Sequence, residues 1–340
     1  MSPTRRLPPD FSHSAAFPLF AFDASTQRGW VLHFEPGDYR RASFLDQRAL
    51  HHRQIHGWEL SLDEIEAALT DSQPPPSLHW IFHIGHCGST LASKFIDLAN
   101  GVLGLREPLP LLSLAQGADD PATRRWRGTV LRLLARGYPD TRAVVVKPTS
   151  AVTAIAGKLL AGSSGQACLL WIDLRSWLAT MLREPELIGD TLAGEARRLA
   201  EFGQDGLPDA SGDGARLARL WLAEQLRWRR LAADPALAGR LIDLDFAQVL
   251  ADPAGASARL LMHYRLAVPD DWAARIAGSG LLQRYAKDPS QAYDASTRDL
   301  ELAAAAQTHA TQIEAGLTWA RAALPALDAQ ALQPRLEPRG

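Results

Sequence analysis

A glycine-rich loop between a strand pattern and a helix pattern constrains this chain more than any other feature. Residues 78–84 are an apolar, β-favouring run, and residues 89–99 have the pattern of a helix. Between them stands Gly-His-Cys-Gly-Ser-Thr, at positions 85–90. The two glycines allow a tight turn that brings backbone N–H groups close to a ligand, and the helix N-terminus adds a partial positive charge. The segment therefore predicts a site for an anion the size of phosphate or sulfate.

This loop differs from the ATP- and GTP-binding loop in one respect. That loop is longer and ends in Gly-Lys-Ser/Thr, whereas no lysine precedes Ser89 here. Because that lysine normally reaches the terminal phosphates, its absence disfavours a general nucleoside triphosphatase. The alternative without a ligand is a tight turn followed by an N-capped helix, since Ser and Thr are common caps.

Four further strand patterns alternate with helix patterns along the chain. The strands are predicted at 102–105, 142–146, 167–172 and 240–244, and the helices at 109–115, 123–136, 151–160, 176–183, 195–200 and 217–231. Strands separated by helices indicate parallel βαβ units, so the sequence predicts an α/β fold with a central parallel sheet. Ligands of such sheets bind at the carboxyl ends of the strands.

The chain divides into three predicted parts. Residues 1–77 form an N-terminal segment that packs on the core, residues 78–325 form the main domain, and residues 326–340 form a frayed tail. The N-terminal segment has a strand pattern at 30–34 and a helix pattern at 63–69. The C-terminal region is mostly helical in pattern.

Charge and cysteine content exclude several classes of protein. With 36 Lys+Arg against 38 Asp+Glu, the formal net charge of −2 argues against a chain that grips nucleic acid. Two cysteines and no CxxC pair exclude a disulfide framework and a cysteine-based zinc site. The longest apolar run is too short to cross a bilayer, and no signal peptide is evident. We therefore expect a cytoplasmic, enzyme-like protein.

The stretch Phe-His-Ile-Gly-His-Cys-Gly-Ser-Thr-Leu at 82–91 resembles the phosphosulfate-binding loop of sulfotransferases, usually Gly-Arg-Ser-Gly-Ser/Thr-Thr-Leu. Further patches match in the same order at 106–108, 146–149, 172–180 and 244–253. The resemblance extends in patches from about residue 78 to about residue 290. It is strongest to the branch that contains tyrosylprotein sulfotransferases and many bacterial sulfotransferases.

The resemblance implies a fold and a reaction. The fold is a P-loop kinase-like three-layer α/β structure, here with an N-terminal segment and a helical C-terminal region. The reaction is in-line transfer of a sulfuryl group from 3′-phosphoadenosine 5′-phosphosulfate (PAPS) to an acceptor hydroxyl or amine. It needs positioning, a base and cations on the developing charge, and no metal is expected to be required. The acceptor is expected to be a small molecule or a peptide, with neither nucleic acid nor membrane as a partner.

The resemblance also implies roles for individual residues. Glu107 matches the family's general base, and Lys147 the active-site lysine. The alternative for Glu107 is a salt bridge to Arg106 or a carboxylate at a helix N-terminus. The alternative for Lys147 is a side chain that extends to solvent from a strand end. The predicted phosphosulfate site comprises Gly85, His86, Cys87, Gly88, Ser89 and Thr90.

Several positions depart from the family pattern. His86 stands where the family commonly has arginine, and it is predicted to share charge stabilisation with Lys147. Cys87 is interpreted as a small space-filling residue rather than as a nucleophile. Thr180 matches the family's serine that binds the 3′-phosphate. The same alignment places Ile172 where the family has an arginine. The predicted substitutes are Arg175 and Arg183, with Lys287 covering the donor; ordinary surface positions are the alternative for all three.

Two other functional classes stay open. A P-loop kinase or other nucleotide phosphotransferase would bind ATP with Mg²⁺, but the missing lysine and the lack of an evident Asp pair disfavour it. A degenerate sulfotransferase-fold binding protein would keep the anion loop and lack turnover. The change from arginine to histidine at His86 is compatible with that class.

Overall fold

A computed structural model describes residues 7–50, 56–69, 76–204 and 206–338 of the chain. It confirms the predicted α/β architecture, in which a central parallel sheet is accompanied by helices that follow its strands. Among these residues, no helix has the length and apolarity needed to cross a lipid bilayer.

The N-terminal segment contains a three-stranded antiparallel sheet. Its elements are β1 (Leu19–Asp23), β2 (Arg28–Leu32), α1 (Pro36–Arg41), β3 (Gly57–Ser61) and α2 (Leu62–Ala68), and the strand order is β1-β2-β3. The strand predicted at 30–34 lies two residues earlier, as β2. The helix predicted after Ser61 is confirmed, because the Ser61 hydroxyl accepts a hydrogen bond from the Glu64 amide and caps α2.

All five predicted strands of the central sheet are present within two residues of their expected bounds. They are β4 (Ser77–His83), β5 (Val102–Arg106), β6 (Ala143–Lys147), β7 (Ala167–Trp171) and β8 (Leu241–Asp245), in the order β5-β6-β4-β7-β8. In register, Trp80 of β4 lies opposite Val146 of β6, and Arg106 of β5 opposite Lys147. Every residue of β6 is buried, which explains why this inner strand appears as a continuous apolar run.

The helices of the main domain lie close to their predicted positions. They are α3 (Ser89–Ile96), α4 (Leu109–Gln116), α5 (Pro121–Leu134), α6 (Ala156–Ala161), α7 (Leu174–Leu182), α8 (Pro185–Ala193), α9 (Glu195–Glu201), α10 (Asp213–Ala232), α11 (Phe246–Ala251), α12 (Pro253–His263) and α13 (Trp272–Gly278). Residues 150–155 form a 3-10 helix before α6, and neither α8 nor α11 was anticipated.

The C-terminal region adds two strands and two helices. They are β9 (Arg284–Tyr285), β10 (Asp288–Ala292), α14 (Ala295–Thr308) and α15 (Ala310–Ala326). The antiparallel pair β9-β10 is an exception to the predicted helical pattern. Residues 330–335 form a 3-10 helix in which Leu332 is buried, as is Leu336 beyond it. The described part of the predicted frayed tail is therefore packed, because these leucines remove apolar surface from water.

The chain separates into two compact units. The first comprises 1–82, 90–167 and 257–275, and contains the N-terminal sheet, β5 and β6. The second comprises 83–89, 168–256 and 276–340, and contains the glycine-rich loop, β8 and the C-terminal helices. The division of the chain at residue 77, made from the sequence, stays a prediction.

Candidate functional site

The backbone of the glycine-rich loop is left-handed at three positions. Gly85 has φ 79°, His86 has φ 50° and Gly88 has φ 72°. Glycine adopts such angles without steric cost, whereas a histidine there is uncommon. The His86 side chain is exposed, and the Cys87 side chain is buried. The predicted tight turn is therefore present, with the histidine held in an unusual backbone conformation at its surface.

Three contacts fix the first half of this loop. The Gly85 amide donates to His83 Nδ1 at 3.0 Å, and the Gly85 carbonyl accepts from Trp177 Nε1 at 3.0 Å. The Cys87 thiol donates to the Leu170 carbonyl at 3.4 Å. The buried, hydrogen-bonded thiol fits the interpretation of Cys87 as a space-filling residue. The anchoring by Trp177 was not visible in the sequence, because the two partners are far apart along the chain.

Gly88 is also required by a close approach. A Cβ atom at this position would lie 2.0 Å from two ring carbons of Phe246, the first residue of α11. No real Cβ contact is so short, so the ring occupies the space that a side chain at Gly88 would need. Phe246 therefore supports the loop, a role for which the sequence offered no signal.

Ser89 and Thr90 begin α3, and both side chains are buried. The first N–H groups of an α-helix have no acceptor within the helix, and they carry the positive end of its dipole. The predicted anion site depends on these N–H groups and on the left-handed turn before them. The assignment of 85–90 to a phosphosulfate site stays a prediction.

Glu107 and Lys147 form an ion pair at the carboxyl ends of two neighbouring strands. Lys147 Nζ donates to Glu107 Oε1, and the Glu107 amide donates to the Lys147 carbonyl at 2.6 Å. The Lys147 side chain is 1% exposed and that of Glu107 is 18% exposed. Lys147 therefore does not extend to solvent, whereas the Glu107 carboxylate is partly exposed to solvent. Glu107 has φ 53°, a second strained non-glycine position.

Arg106 does not pair with Glu107, which removes one alternative for that carboxylate. Its buried guanidinium instead pairs with Asp97 and donates to the Tyr39 carbonyl, and its Nε donates to the Ala42 carbonyl at 2.8 Å. Burial raises the pKa of Asp97. Arg106 thus ties the end of β5, immediately before Glu107, to the N-terminal segment.

A second cation near Glu107 comes from the N-terminal segment. Arg48 Nη2 lies 3.9 Å from Glu107 Oε2, and the Arg48 guanidinium carbon lies 3.4 Å from the centroid of the Phe44 ring. Hydrogen bonds of 2.9 and 3.0 Å join Arg48 Nε to the Asp46 carboxylate. Sequence reasoning missed Arg48, because nothing in its local pattern connects it with the residue that follows β5.

The residues predicted to bind the 3′-phosphate are engaged with other protein groups. Arg175 donates to Glu337 and to Glu314, each at 2.6 Å. Arg183 pairs with Glu301 and lies 3.3 Å from Glu184. The Thr180 hydroxyl donates to the Ser176 carbonyl one turn earlier at 2.9 Å, and Lys287 lies in the turn between β9 and β10. The charges of both arginines are therefore already neutralised by carboxylates.

Two buried carboxylates lie at the carboxyl ends of two strands, Asp173 two residues after β7 and Asp245 as the last residue of β8. Asp173 accepts from the Ser176 amide at 2.8 Å, and Asp245 accepts from the Ala247 amide at 3.0 Å, so each caps a helix. Burial, together with the charge of Asp245, raises the pKa of Asp173. The sequence did not indicate this Asp pair. In the part of the chain that the structure describes, no three His, Cys, Asp or Glu side chains are grouped as metal ligands.

Comparison with known proteins gives matches among solved structures alone. No family model and no curated protein matches the chain. A sulfotransferase domain from the curacin biosynthetic pathway is 13% identical, with 70% of this chain and 99% of that chain covered and a TM-score of 0.39. Sulfotransferase STF9 from Mycobacterium avium is 12% identical, with coverages of 72% and 81% and a TM-score of 0.40. Mouse sulfotransferase SULT7A1 complexed with PAP is 12% identical, with coverages of 67% and 74% and a TM-score of 0.33.

Proposed function

We propose that this protein is a sulfotransferase that moves a sulfuryl group from PAPS to an acceptor hydroxyl or amine. The observation that carries the proposal is the Glu107–Lys147 pair, which lies at the strand ends where ligands of parallel sheets bind. The glycine-rich loop directly follows β4, the strand next to β6. The sequence resemblance gives this combination of loop, glutamate and lysine its chemical meaning.

Packing alone does not favour a charged pair such as Glu107–Lys147 at a largely buried position. Burial of a lysine beside a carboxylate carries a desolvation cost that often exceeds the attraction between the two charges. A functional role for Lys147 accounts for keeping the charge there, because an ammonium group at this edge stabilises the phosphosulfate. The partial exposure of Glu107 leaves its carboxylate accessible to an acceptor group.

The proposed step is a single displacement at sulfur. The acceptor oxygen or nitrogen forms a bond to sulfur while the bond from sulfur to the 5′-phosphate oxygen breaks. Glu107 takes the acceptor proton, and adenosine 3′,5′-bisphosphate leaves with the electron pair of the broken bond. A general base of this kind contributes about 10²–10⁴-fold to the rate.

The loop is proposed to hold the phosphosulfate during this step. The amide N–H groups in the first turn of α3 carry the positive end of the helix dipole, where anions are stabilised. His86, exposed on the turn, donates to the same anion in place of the family's arginine. Binding of the 3′-phosphate by Arg175 or Arg183 would require each to exchange a carboxylate for a phosphate oxygen. In this proposal Thr180 and Lys287 complete the nucleotide site, and the protein acts in the cytoplasm on a small-molecule or peptide acceptor.

A Mg²⁺-dependent phosphotransferase is the second candidate, and Asp173 and Asp245 are the observation that favours it. Carboxylate oxygens are the ligands that Mg²⁺ prefers. Both carboxylates accept backbone amides as helix caps, however, and this use explains their position without a metal. A non-catalytic binding protein with the same loop is the third candidate.

Ligand-induced thermal stabilisation separates these candidates. The ligands are adenosine 3′,5′-bisphosphate, AMP, and ATP with Mg²⁺. A ligand at 100 times its dissociation constant adds about 2.7 kcal/mol, which raises Tm by several degrees. We expect stabilisation by the bisphosphate and much less by AMP. Stabilisation by ATP with Mg²⁺ alone would refute the proposal in favour of the phosphotransferase.

Transfer of ³⁵S from labelled PAPS to a metabolite and peptide mixture then tests turnover. We expect labelled products with the wild type and a loss of about 10²-fold or more with Glu107→Gln. A protein that binds the bisphosphate but labels no acceptor, with or without this exchange, would favour the non-catalytic candidate.

A further inference from the structure

The Phe246 ring connects the glycine-rich loop with α14. On the loop, the ring fills the space beside Gly88, where an added Cβ would lie 2.0 Å from it. On α14, the guanidinium carbon of Arg298 lies 5.8 Å from the centroid of the same ring. A guanidinium within about 6 Å of an aromatic centroid is attracted by the ring. One aromatic side chain therefore contacts both the predicted anion site and an arginine.

The charge of Arg298 is less neutralised than those of the arginines predicted from the sequence. Its side chain is 21% exposed, and Nη1 donates to the neighbouring Asp299 carboxylate at 3.2 Å. Asp299 is 71% exposed, so water screens this pair strongly. Arg175, in contrast, donates to two glutamates at 2.6 Å. Arg298 thus has the weaker carboxylate partner of the two.

The position of Arg298 within its helix does not account for its presence. Asp294 caps α14, and Arg298 is the fourth residue of the helix. A positive charge near the N-terminus opposes the helix dipole, which favours anions there. An anion close to the guanidinium would offset this unfavourable interaction with the helix dipole.

We infer that Arg298 binds the 5′-anion of the nucleotide donor, which is the phosphosulfate before transfer and the 5′-phosphate after it. The inference rests on the proposed function and adds to it a residue that the sequence did not single out. Arg298 supplies the guanidinium that the loop lacks, since His86 stands where the family commonly has arginine. Phe246 attracts the guanidinium through its ring, and the same ring fills the space beside Gly88.

Binding measurements on the full chain test this assignment. Adenosine 3′,5′-bisphosphate, 5′-AMP and 3′-AMP are titrated against the wild type, Arg298→Met and Arg298→Lys. Methionine keeps an unbranched side chain without the charge. Hydrogen bonds to charged groups are worth about 1.5–3 kcal/mol, which corresponds to about 10- to 100-fold in affinity. We expect Arg298→Met to weaken the bisphosphate and 5′-AMP by that factor and to leave 3′-AMP unchanged, with a smaller loss for Arg298→Lys.

Arg229→Gln is the matched control, because Arg229 is an exposed helical arginine near the end of α10. It should bind all three nucleotides as the wild type does. Equal affinities for the wild type and Arg298→Met would overturn the assignment and leave the proposed function intact. A loss confined to 3′-AMP would overturn it as well, by placing Arg298 at the other phosphate. If the wild type binds none of the nucleotides, the proposed function and the inference both fail. The Tm of each variant without ligand verifies that it is folded.

Discussion

The contact between Gly88 and Phe246 predicts a large and separable cost for substituting this glycine. Alanine at Gly88 would retain φ 72° and place a methyl group 2.0 Å from the ring. The left-handed conformation costs an L-residue about 1–2 kcal/mol. Overpacking of a filled site costs about 1–3 kcal/mol more. We therefore expect Gly88→Ala to lower the free energy of unfolding by about 2–5 kcal/mol.

A double-mutant cycle separates the two contributions. Phe246→Ala leaves a cavity and costs about 3–5 kcal/mol by itself. In that background the new methyl group meets no ring, so Gly88→Ala costs only the conformational part, about 1–2 kcal/mol. The two substitutions should therefore be non-additive by about 1–3 kcal/mol. Urea unfolding of the wild type, the single variants and the double variant gives all four free energies.

The control is Gly128→Ala in the middle of α5, where a Cβ atom would meet nothing within 4 Å. Alanine in a helix interior is favoured over glycine, so this variant should be stabilised by about 0.4–1 kcal/mol. Costs at Gly88 and Phe246 that add to within about 0.5 kcal/mol would refute the steric reasoning. The ring would then not determine the conformation of the loop.

Three further predictions concern buried charges. Glu107→Gln leaves the 1%-exposed Lys147 ammonium without this carboxylate and should lower the free energy of urea unfolding by about 3–5 kcal/mol. Lys147→Met leaves a partly solvated carboxylate and should lower it clearly less. Equal costs for the two variants would contradict this asymmetry. Burial raises the pKa of Glu224 to about 7, so the folded state binds a proton that the unfolded state has released, and the free energy of unfolding should fall as the pH rises from about 4.5 to about 7. Glu224→Gln should flatten this part of the Tm–pH profile, and an unchanged profile would exclude Glu224 as its source. Burial raises the pKa of Asp173 as well, so Asp173→Asn, which retains a helix cap, should be at least as stable as the wild type at pH 8. Asp173→Ala, which removes the cap, should lose about 1 kcal/mol in the same unfolding assay. An Asp173→Asn variant less stable than the wild type would contradict the reasoning.

The sequence predicted the central sheet well because its strands are short apolar runs. Each run as predicted from the sequence is bounded by polar or glycine residues, and the helices between the runs have a different periodicity. The strands β1, β3, β9 and β10 were missed. Strand β10, for example, has the sequence Asp-Pro-Ser-Gln-Ala and has no apolar alternation to signal it. Pairing with another segment determines such strands, and pairing between segments is not visible in a local pattern.

The candidate site was predictable where it depends on local sequence. The glycine-rich turn needs residues that tolerate positive φ, and these are adjacent in the chain. Glu107 and Lys147 could each be placed at a strand end, but their pairing depends on the register of β5 against β6. The neutralisation of Arg175 by two glutamates from the C-terminal region could not be predicted, because more than 100 residues separate the partners.

The sequence by itself determined the α/β class, the turn after β4 and the two charged residues at the strand ends. These follow from side-chain periodicity and backbone preference, which act over a few residues. Only the tertiary structure decided that Phe246 fills the space beside Gly88, that Arg48 lies near Glu107, and that the Arg298 guanidinium lies within 5.8 Å of the centroid of the Phe246 ring. Such contacts depend on how distant elements pack, and packing is set by the shape and charge of the whole core rather than by any segment of the chain.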